Sequence, residues 1–263
     1  MKLVVLVKHV PEALDELPYN GDLTVDRDAA RGAMNEPDTF AVEQAMRIAR
    51  RRIDVQVCAL TMGPAVAART LYRALALGAD EGVHVLDDAL HGSDALATSR
   101  VLAAAIRRLG FDLVLCGAAS RDSGMSVIPA MVAERLGVPV VCHADSLRVG
   151  LGAAAEIIVS CDDGAAIEEL SAGLPAVVSV TDRCEEPRYP SFPAIAEARH
   201  KLVRTWSLAD LGICPDEVGL CAAATAVRRV MLRPRPRSAR LVGGEPRAAA
   251  AELADFLAEN QFI

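Results

Sequence analysis

The sequence predicts an α/β fold, in which helices cover both faces of a mainly parallel, doubly wound sheet. Two observations lead to this prediction. Short apolar runs without polar alternation follow one another along the first half of the chain, and a helical pattern of apolar residues separates each run from the next. Strands that are apolar on both faces and joined by helices are typical of parallel sheets whose two faces are both buried.

The first strand and the first helix open this pattern. The run "LVVLVKHV" at 3–10 predicts a buried strand. The segment 41–51 repeats apolar residues at helical spacing, so we predict a helix there. Asn35 or Asp38 is a suitable cap for this helix, and Pro37 fits its first turn.

The alternation continues as far as Gly137. Glycines end each of the helices in this part, and Ser93 is the predicted cap of the second one. The predicted strands are 55–62, 82–87 and 111–117, and the predicted helices are 65–78, 93–110 and 127–137.

The second half of the chain differs in style. Shorter apolar runs with Gly and Asp turns follow residue 145 and predict an antiparallel excursion that ends in a core strand at 176–182. Residues 185–201 carry three prolines and predict an exposed, structured loop that runs into a short helix. Residues 213–246 have few periodic apolar positions and predict an extended arm, and 245–263 predict an amphipathic helix.

Composition narrows the classes of function. The formal net charge of −7 argues against a nucleic-acid-binding protein. No apolar run approaches the ~18 residues that a membrane span needs, and the apolar run near the start is too short for a secretory signal. We therefore expect a cytoplasmic protein without direct membrane insertion. The seven cysteines form no CxxC pair and no metal-like spacing with His, so we expect free thiols and no metal site.

The loop after the strand at 111–117 is the strongest candidate for a binding site. Nine small or polar residues, 118–126, separate that strand from a helix start. Free backbone N–H groups at a helix start attract anions, and Ser123 and Gly124 would let a phosphate approach the backbone. Ser126 is the predicted helix cap, with Pro129 in the first turn. An ordinary connection is the alternative, although such loops commonly hold only ~2–6 residues.

Ligands of such sheets bind beyond the carboxyl ends of the strands. Two further loops lie at that same predicted edge. They are "LTMGPA" at 60–65 and "MNEPD" at 34–38. Each is compatible with a simple turn or cap when it is considered alone. No Walker or GxGxxG motif is present, and no Ser, Cys or His has a neighbour that identifies a nucleophile. An enzyme with its own acid–base machinery is not indicated.

The segment 185–201 raises a separate question. Tyr189, Phe192 and Ile195 stand among its prolines. Exposed aromatic residues on a rigid loop are typical anchors for a partner protein. They could equally pack on their own domain, and the pattern alone leaves both alternatives open.

Several motifs, taken together, identify a family resemblance. They are "VVLVKHVPE", "MNEPDTFAVEQAMRI", "LTMGPA", "YRALALGADEGVHVLDD", "FDLVLCGAASRDSG", "LPAVVSVTDRCEEPRYPSFPAIAEARHK" and "WSLADLG", which extend over most of the chain. In these motifs the chain resembles the β subunit of electron transfer flavoprotein. The resemblance implies a Rossmann-like domain, similar to adenine nucleotide alpha hydrolases, in residues 1–206, and a C-terminal arm and helix, 207–263, that pack on a partner α subunit.

The resemblance also implies a function. Family members are heterodimeric electron carriers without substrate chemistry of their own, in which the α subunit makes most contacts with FAD and the β subunit binds a structural AMP. They take electrons from flavin dehydrogenases, such as acyl-CoA dehydrogenases of fatty acid oxidation, and pass them to a membrane quinone oxidoreductase. Two alternatives remain: an electron-bifurcating type with a second FAD in place of AMP, and a stand-alone adenine-nucleotide sensor.

The resemblance carries the AMP site onto particular residues. They are Leu6, Asn35, Glu36, Pro37, Asp38, Met62, Gly63, Gly117, Ala118, Ala119, Ser120, Arg121, Asp122, Ser123, Gly124, Met125, Ser126, Val127 and Ile128. Ala118 and Ala119 stand where the family commonly has Lys and Gln, and Val127 stands where it has Gln. We therefore expect the nucleotide to contact the backbone of Asp122 to Ser126 rather than any single side chain.

The resemblance also implies a dehydrogenase-docking segment at 185–201. Its docking residues would be Glu186, Pro187, Arg188, Tyr189, Phe192 and Ile195. Phe192 takes the place of the family's usual Leu anchor. A second departure lies at 159–162, where the family often reads Arg-Glu-x-Asp and this chain reads Val-Ser-Cys-Asp. The family's Glu, which steers the mobile flavin domain of the α subunit, is thus missing.

Overall fold

The structure is a computed structural model that describes residues 1–12, 17–29, 31–150, 155–162, 164–231 and 241–263. Residues 1–228 form one compact unit and residues 229–263 form a second. The strands are β1 Lys2–Leu6, β2 His9–Pro11, β3 Gly32–Met34, β4 Gln56–Met62, β5 Glu81–Val85, β6 Leu113–Gly117, β7 Val140–Ala144, β8 Ser146–Val149, β9 Glu156–Asp162, β10 Ile167–Gly173, β11 Ala176–Val180 and β12 Val203–Trp206. The helices are α1 Glu36–Arg51, α2 Ala68–Leu77, α3 Ala95–Leu109, α4 Ile128–Leu136, α5 Phe192–Ala198, α6 Gly219–Ala222 and α7 Pro246–Glu259.

The central sheet confirms the predicted fold class. Its seven strands follow the order β12-β5-β4-β1-β6-β11-β7, and each neighbouring pair is parallel. The chain moves outward from β1 through β4 to β5 and then returns to the other side of β1 with β6. The order of the strands thus reverses between β1 and β6, which is where such sheets bind ligands.

Apolar side chains cover both faces of this sheet. On one face, Leu3 and Val5 of β1 pack with Ala41 and Ala45 of α1. On the other face, Val4 packs in a second cluster with residues of α3 and α4. Alternate side chains of a strand point to opposite faces, so a strand segment buried on both sides must be apolar throughout, as β1 is from Leu3 to Leu6.

The predicted antiparallel excursion is also confirmed. Strands β8, β9 and β10 form an antiparallel sheet in the order β10-β9-β8. The chain then returns to the central sheet as β11, whose five residues are all buried.

The predictions for the first strand and for the cap of α3 were wrong. The segment 3–10 is not one strand, because β1 ends at Leu6 and β2 pairs with β3 in a separate two-stranded sheet. The chain leaves the central sheet where the Lys8 N–H donates to the Asp38 carboxylate, at 2.7 Å. Ser93 does not cap α3, since the carboxylate of Asp94 accepts from the Ala97 N–H at 3.0 Å and takes that role.

The predicted C-terminal helix is confirmed as α7, which lies in the second unit. Residues 232–240, with the whole "RPRPRS" stretch of the predicted arm, lie outside the described residues. Leu208 and Val218 are buried in the core of the first unit. The division of the chain at residue 206 stays a prediction. None of the described helices combines the length and the hydropathy that crossing a membrane requires.

Candidate functional site

The fold brings the predicted nucleotide residues to one edge of the sheet. Leu6, Met62 and Gly117 stand at the carboxyl ends of β1, β4 and β6, which are neighbours in the sheet. Gly63 directly follows β4. The first turn of α1 reaches the same edge. Its Asp38 accepts hydrogen bonds from Lys8, which lies after β1, and from Gly117 at the end of β6. Residues far apart in the sequence thus surround the point where the strand order reverses.

Asp38 connects these segments. Its carboxylate accepts hydrogen bonds from the Lys8 N–H at 2.7 Å, the Gly117 N–H at 3.2 Å and the Asn35 amide at 2.9 Å. Burial raises the pKa of Asp38 to about 7, although these hydrogen bonds oppose the rise. The carboxyl therefore joins the end of β6 to the start of α1 in a buried, polar junction.

Asn35 holds the first part of the loop after β6. Its amide donates to the Ala119 carbonyl at 2.9 Å, and its side-chain oxygen accepts from the Arg121 N–H at 3.0 Å. Asn35 lies at the N-cap position of α1, but its side chain makes no capping hydrogen bond there. The side chain serves the loop rather than the helix.

Gly117 is required where β6 ends. A Cβ atom at this position would lie 2.5 Å from an Asp38 carboxylate oxygen and 2.8 Å from the backbone carbonyl carbon of Pro37. Such distances are far shorter than a carbon contact allows, so only glycine lets the loop approach the first turn of α1 this closely.

Asp122 fixes the middle of the loop through two cations. It lies 2.8 Å from the Lys8 ammonium and 2.7 Å from the Arg27 guanidinium, and Lys8 also donates to the Ser120 hydroxyl at 3.0 Å. Burial acts to raise the pKa of Asp122, but the charges and hydrogen bonds of Lys8 and Arg27 hold it well below its usual range. Burial also lowers the pKa of Lys8, although Asp122 counteracts this effect.

Lys8 and Arg27 were not among the site residues predicted from the sequence. For Lys8 a signal existed, because a lone lysine directly after a buried strand stands at the carboxyl edge of the sheet. For Arg27 there was none, since it lies in a stretch without periodicity and meets Asp122 only in the folded chain. Arg27 also donates to the His9 carbonyl at 3.1 Å, so it ties this stretch to β2.

The outer part of the loop differs from the prediction at Ser126. Val127, not Ser126, occupies the N-cap position of α4, and Ser126 has a left-handed backbone with φ of 55°. That conformation is incompatible with the extended backbone of an N-cap residue. Pro129 lies in the first turn, as predicted.

This part of the loop leaves backbone donors free. The N–H groups of Met125, Ser126, Val127 and Ile128 donate to no group in the described part of the chain. Gly124 has φ of 61°, and no atom lies within 4 Å of a Cβ built on it. Unpaired N–H groups before a helix, next to an open glycine, are suited to an anion such as a phosphate.

A cleft of about 310 Å³ opens beside the first part of the loop. Its walls come from the start of α1, the start of the loop and the end of β11. They are formed by Glu36, Pro37, Ala118, Ala119, Val180, Thr181 and Asp182. Thr181 and Asp182 were not among the predicted residues. Their signal was topological, because β11 pairs with β6 and its carboxyl end must lie beside the loop.

The segment 185–201 forms a loop followed by α5, as predicted. The exposed fractions of Tyr189 and Phe192 are 89% and 90%, and that of Ile195 is 40%. Tyr189 and Phe192 thus do not pack on their own domain, which was one of the two alternatives that the sequence left open. Glu186 is exposed and Pro187 is half-buried, whereas Arg188 bonds to Glu43 of α1.

Comparison with known proteins gives this geometry a family. A family model described as the electron transfer flavoprotein domain matches residues 22–211. Its span includes the start of α1, the loop after β6 and the segment 185–201.

Individual relatives agree with the family model. The electron transfer flavoprotein subunit beta of Mycobacterium leprae is 39% identical over 89% of this chain and 88% of its own. The protein of the same name from Methylophilus methylotrophus is 31% identical over 98% of both chains. A subunit of the caffeyl-CoA reductase-Etf complex of Acetobacterium woodii is 30% identical over the full length of both. These names agree with the prediction of an electron carrier rather than an enzyme. The resemblance is thereby confirmed: this chain belongs to the electron transfer flavoprotein family.

Proposed function

We propose that this chain is the β subunit of a heterodimeric electron transfer flavoprotein. An α subunit makes most of the contacts with FAD, and FAD supplies the redox chemistry when it is bound. The complex carries electrons from flavin dehydrogenases, such as acyl-CoA dehydrogenases, to a membrane quinone oxidoreductase, and it acts in the cytoplasm. The observation that supports this most strongly is the near full-length similarity to proteins named as beta subunits.

The same proposal includes an AMP site at the point where the strand order reverses. The free N–H groups of Met125 to Ile128 suit the phosphate, and the open backbone at Gly124 lets it approach. Glu36 and Asp182 line the cleft beside the first part of the loop, and their carboxylates can accept hydrogen bonds from ribose hydroxyls or an adenine amino group. In this proposal the N–H groups are the donors for the phosphate, and the carboxylates are the acceptors for the nucleoside.

The predicted site residues have different roles in this proposal. The start of the loop is held against the first turn of α1 by the hydrogen bonds of Asn35 and Asp38 and by the close packing at Gly117. Ser120, Arg121 and Asp122 anchor its middle to Asn35, Lys8 and Arg27. The nucleotide itself would meet the free N–H groups of residues 125–128, the open backbone at Gly124 and the cleft.

AMP rather than FAD is the proposed occupant, because AMP is what the family resemblance implies for the β subunit. The electron-bifurcating alternative is supported by one observation, the full-length similarity to a subunit of the Acetobacterium woodii complex.

The docking part of the proposal rests on exposure. Tyr189 and Phe192 present apolar rings to solvent on a segment held by prolines and by α5. Large exposed aromatic residues on a fixed loop are typical of contact points with another protein. We assign the binding of the dehydrogenase to this segment.

The nucleotide proposal is tested by denaturing the purified heterodimer and separating the released nucleotides by chromatography. One AMP and one FAD per heterodimer are expected. Two FAD molecules and no AMP would establish the bifurcating type instead. A chain that binds AMP but forms no complex with any flavin-bearing subunit would support the stand-alone sensor.

A further inference from the structure

The exposed rings of the docking segment are not held in place by their own packing. Tyr189 and Phe192 are almost fully exposed, and a groove of about 390 Å³ runs between this segment and the helices α1 and α2. Of the residues in α5, only Ala198 at its far end is buried. Beyond α5, Lys201 donates to the Leu75 and Ala79 carbonyls at 3.1 and 2.8 Å and holds the far end of the segment. The near end, directly before the rings, is held by the residues that precede Tyr189.

Those residues are bonded to α1 by a buried carboxylate. Glu43 lies on α1 and is only 4% exposed. Both of its carboxylate oxygens lie 3.1 Å from the Nε of Arg188, and one of them lies 2.7 Å from the guanidinium of Arg50. Burial acts to raise the pKa of Glu43, but Arg50 and Arg188 lower it, so the carboxylate remains charged. Arg50 belongs to the same helix, whereas Arg188 belongs to the segment that precedes Tyr189.

A second contact secures the same segment. The Glu185 carboxylate accepts from the buried Gln44 amide at 2.9 Å and pairs with the Arg47 guanidinium at 2.6 Å. Consecutive turns of α1 thus bind Glu185 and Arg188. Tyr189 follows directly, so the chain enters the exposed part from a fixed point.

We propose that Glu43 and Arg188 are positioning residues for electron transfer from the dehydrogenase. Their ion pair holds the segment 185–188 against α1 and presents Tyr189 and Phe192 in the geometry that a dehydrogenase recognises. This inference rests on the docking role proposed above. Glu43 is buried and cannot contact the partner, so its effect on docking has to pass through Arg188.

Stability alone is a weak explanation for this pair. The Arg188 side chain is about half exposed, and an ion pair with one partner in solvent commonly contributes less than about 1 kcal/mol to stability. Arg50 already neutralises Glu43 from within the helix. The additional bond to Arg188 therefore mainly fixes the loop.

The experiment uses the complete heterodimer with its flavin, and the variants Glu43→Gln, Arg188→Gln and the double variant. The rate of flavin reduction is measured against the concentration of the heterodimer, with an acyl-CoA dehydrogenase and its acyl-CoA as the electron source. For Glu43→Gln we expect kcat/KM to fall about tenfold, with a higher KM and an unchanged kcat. A docking surface displaced by up to about 1 Å can lose that much. Flavin content and the rate of reduction by dithionite, which needs no docking, should not change.

Two controls separate the possible outcomes. Arg50→Gln removes the other partner of the same carboxylate and should leave KM within about twofold of the wild type, since Arg188 stays bonded. In the double variant, KM should be no higher than in Arg188→Gln alone if both residues act through one bond. Additive effects would instead indicate that Arg188 contacts the dehydrogenase directly, and the inference would be wrong.

The failure of this inference is distinguishable from failure of the docking proposal. If Phe192→Ala raises KM but Glu43→Gln and Arg188→Gln do not, the segment docks without the ion pair, and the positioning role is refuted. If Phe192→Ala has no effect either, the docking assignment itself is wrong. Should Glu43→Gln fail to assemble, Glu43→Asp, alone and combined with Arg188→Gln, takes its place, and the same comparison of KM values decides the question.

Discussion

The junction at Asp38 gives the sharpest test of how the nucleotide loop is held. Replacing Asp38 with Ala leaves the Lys8 N–H and the Gly117 N–H without an acceptor and removes one of the two acceptors of the Asn35 amide. A buried donor without a partner costs about 1–3 kcal/mol. Relief from burying a carboxyl offsets part of this cost, so we expect Asp38→Ala to lower the free energy of unfolding by about 3 kcal/mol. Asp38→Asn keeps one acceptor oxygen and should cost about 1–2 kcal/mol.

The pH dependence supplies the second part of this prediction. Burial raises the pKa of Asp38 to about 7, so between about pH 4, where a free Asp titrates, and pH 7 the folded chain binds the proton more tightly than the unfolded chain. The contribution of Asp38 to stability is therefore complete at low pH and declines as the pH rises towards 7. The limiting slope is about 1.4 kcal/mol per pH unit. The difference between wild type and Asp38→Asn should accordingly shrink with rising pH.

Urea unfolding of the chain provides the assay. Trp206 is the single tryptophan and lies in β12 of the first unit, so its fluorescence reports that unit. The midpoint shift is converted to free energy with an unchanged slope m. A midpoint of Asp38→Ala equal to that of the wild type, or a difference to Asp38→Asn that stays constant from pH 5 to pH 8, would refute the reasoning.

Three further predictions concern the loop and the docking segment. Gly117→Ala should destabilise the chain and abolish AMP retention, because its Cβ would lie 2.5 Å from an Asp38 carboxylate oxygen. Gly124→Ala has open space around it and should cost only the ~1–2 kcal/mol of a left-handed backbone. Urea midpoints and the amount of AMP released on denaturation measure both effects. Asp122→Asn should lower stability by about 1–3 kcal/mol at neutral pH. Because the pKa of Asp122 is held well below its usual range, this difference should stay constant down to about pH 4 and shrink steadily only at more acidic pH. Phe192→Ala should slow flavin reduction by the dehydrogenase with the bound flavin intact, while Ile53→Ala, an equally exposed control, should change nothing; loss of flavin in Phe192→Ala would mean that the docking segment is misplaced.

The parallel sheet and its helices were predictable because their signal is local. Buried strands need apolar residues on both faces, and helices repeat apolar residues along one face, so each element shows its own period. The position of the loop after β6 followed from the same reasoning, since the carboxyl ends of parallel strands share one edge of the sheet.

The details that failed depend on contacts between distant residues. The strand predicted at 3–10 breaks after Leu6 because Asp38, far along the chain, takes the Lys8 N–H. The left-handed backbone at Ser126 and the approach of Arg27 to Asp122 have the same origin. None of these contacts leaves a periodic trace, and the family resemblance gave no residue for the cations at Asp122.

The central claim is that this chain functions as one subunit of an FAD-carrying heterodimer. The most direct measurement is to co-express it with a candidate α subunit from the neighbouring gene, purify the complex by size exclusion, and determine its flavin absorbance against protein. Co-elution of the two chains in equal amounts, with one FAD per heterodimer besides AMP, is the expected result. Elution of this chain alone and without flavin, in the presence of a folded α subunit, would contradict the account.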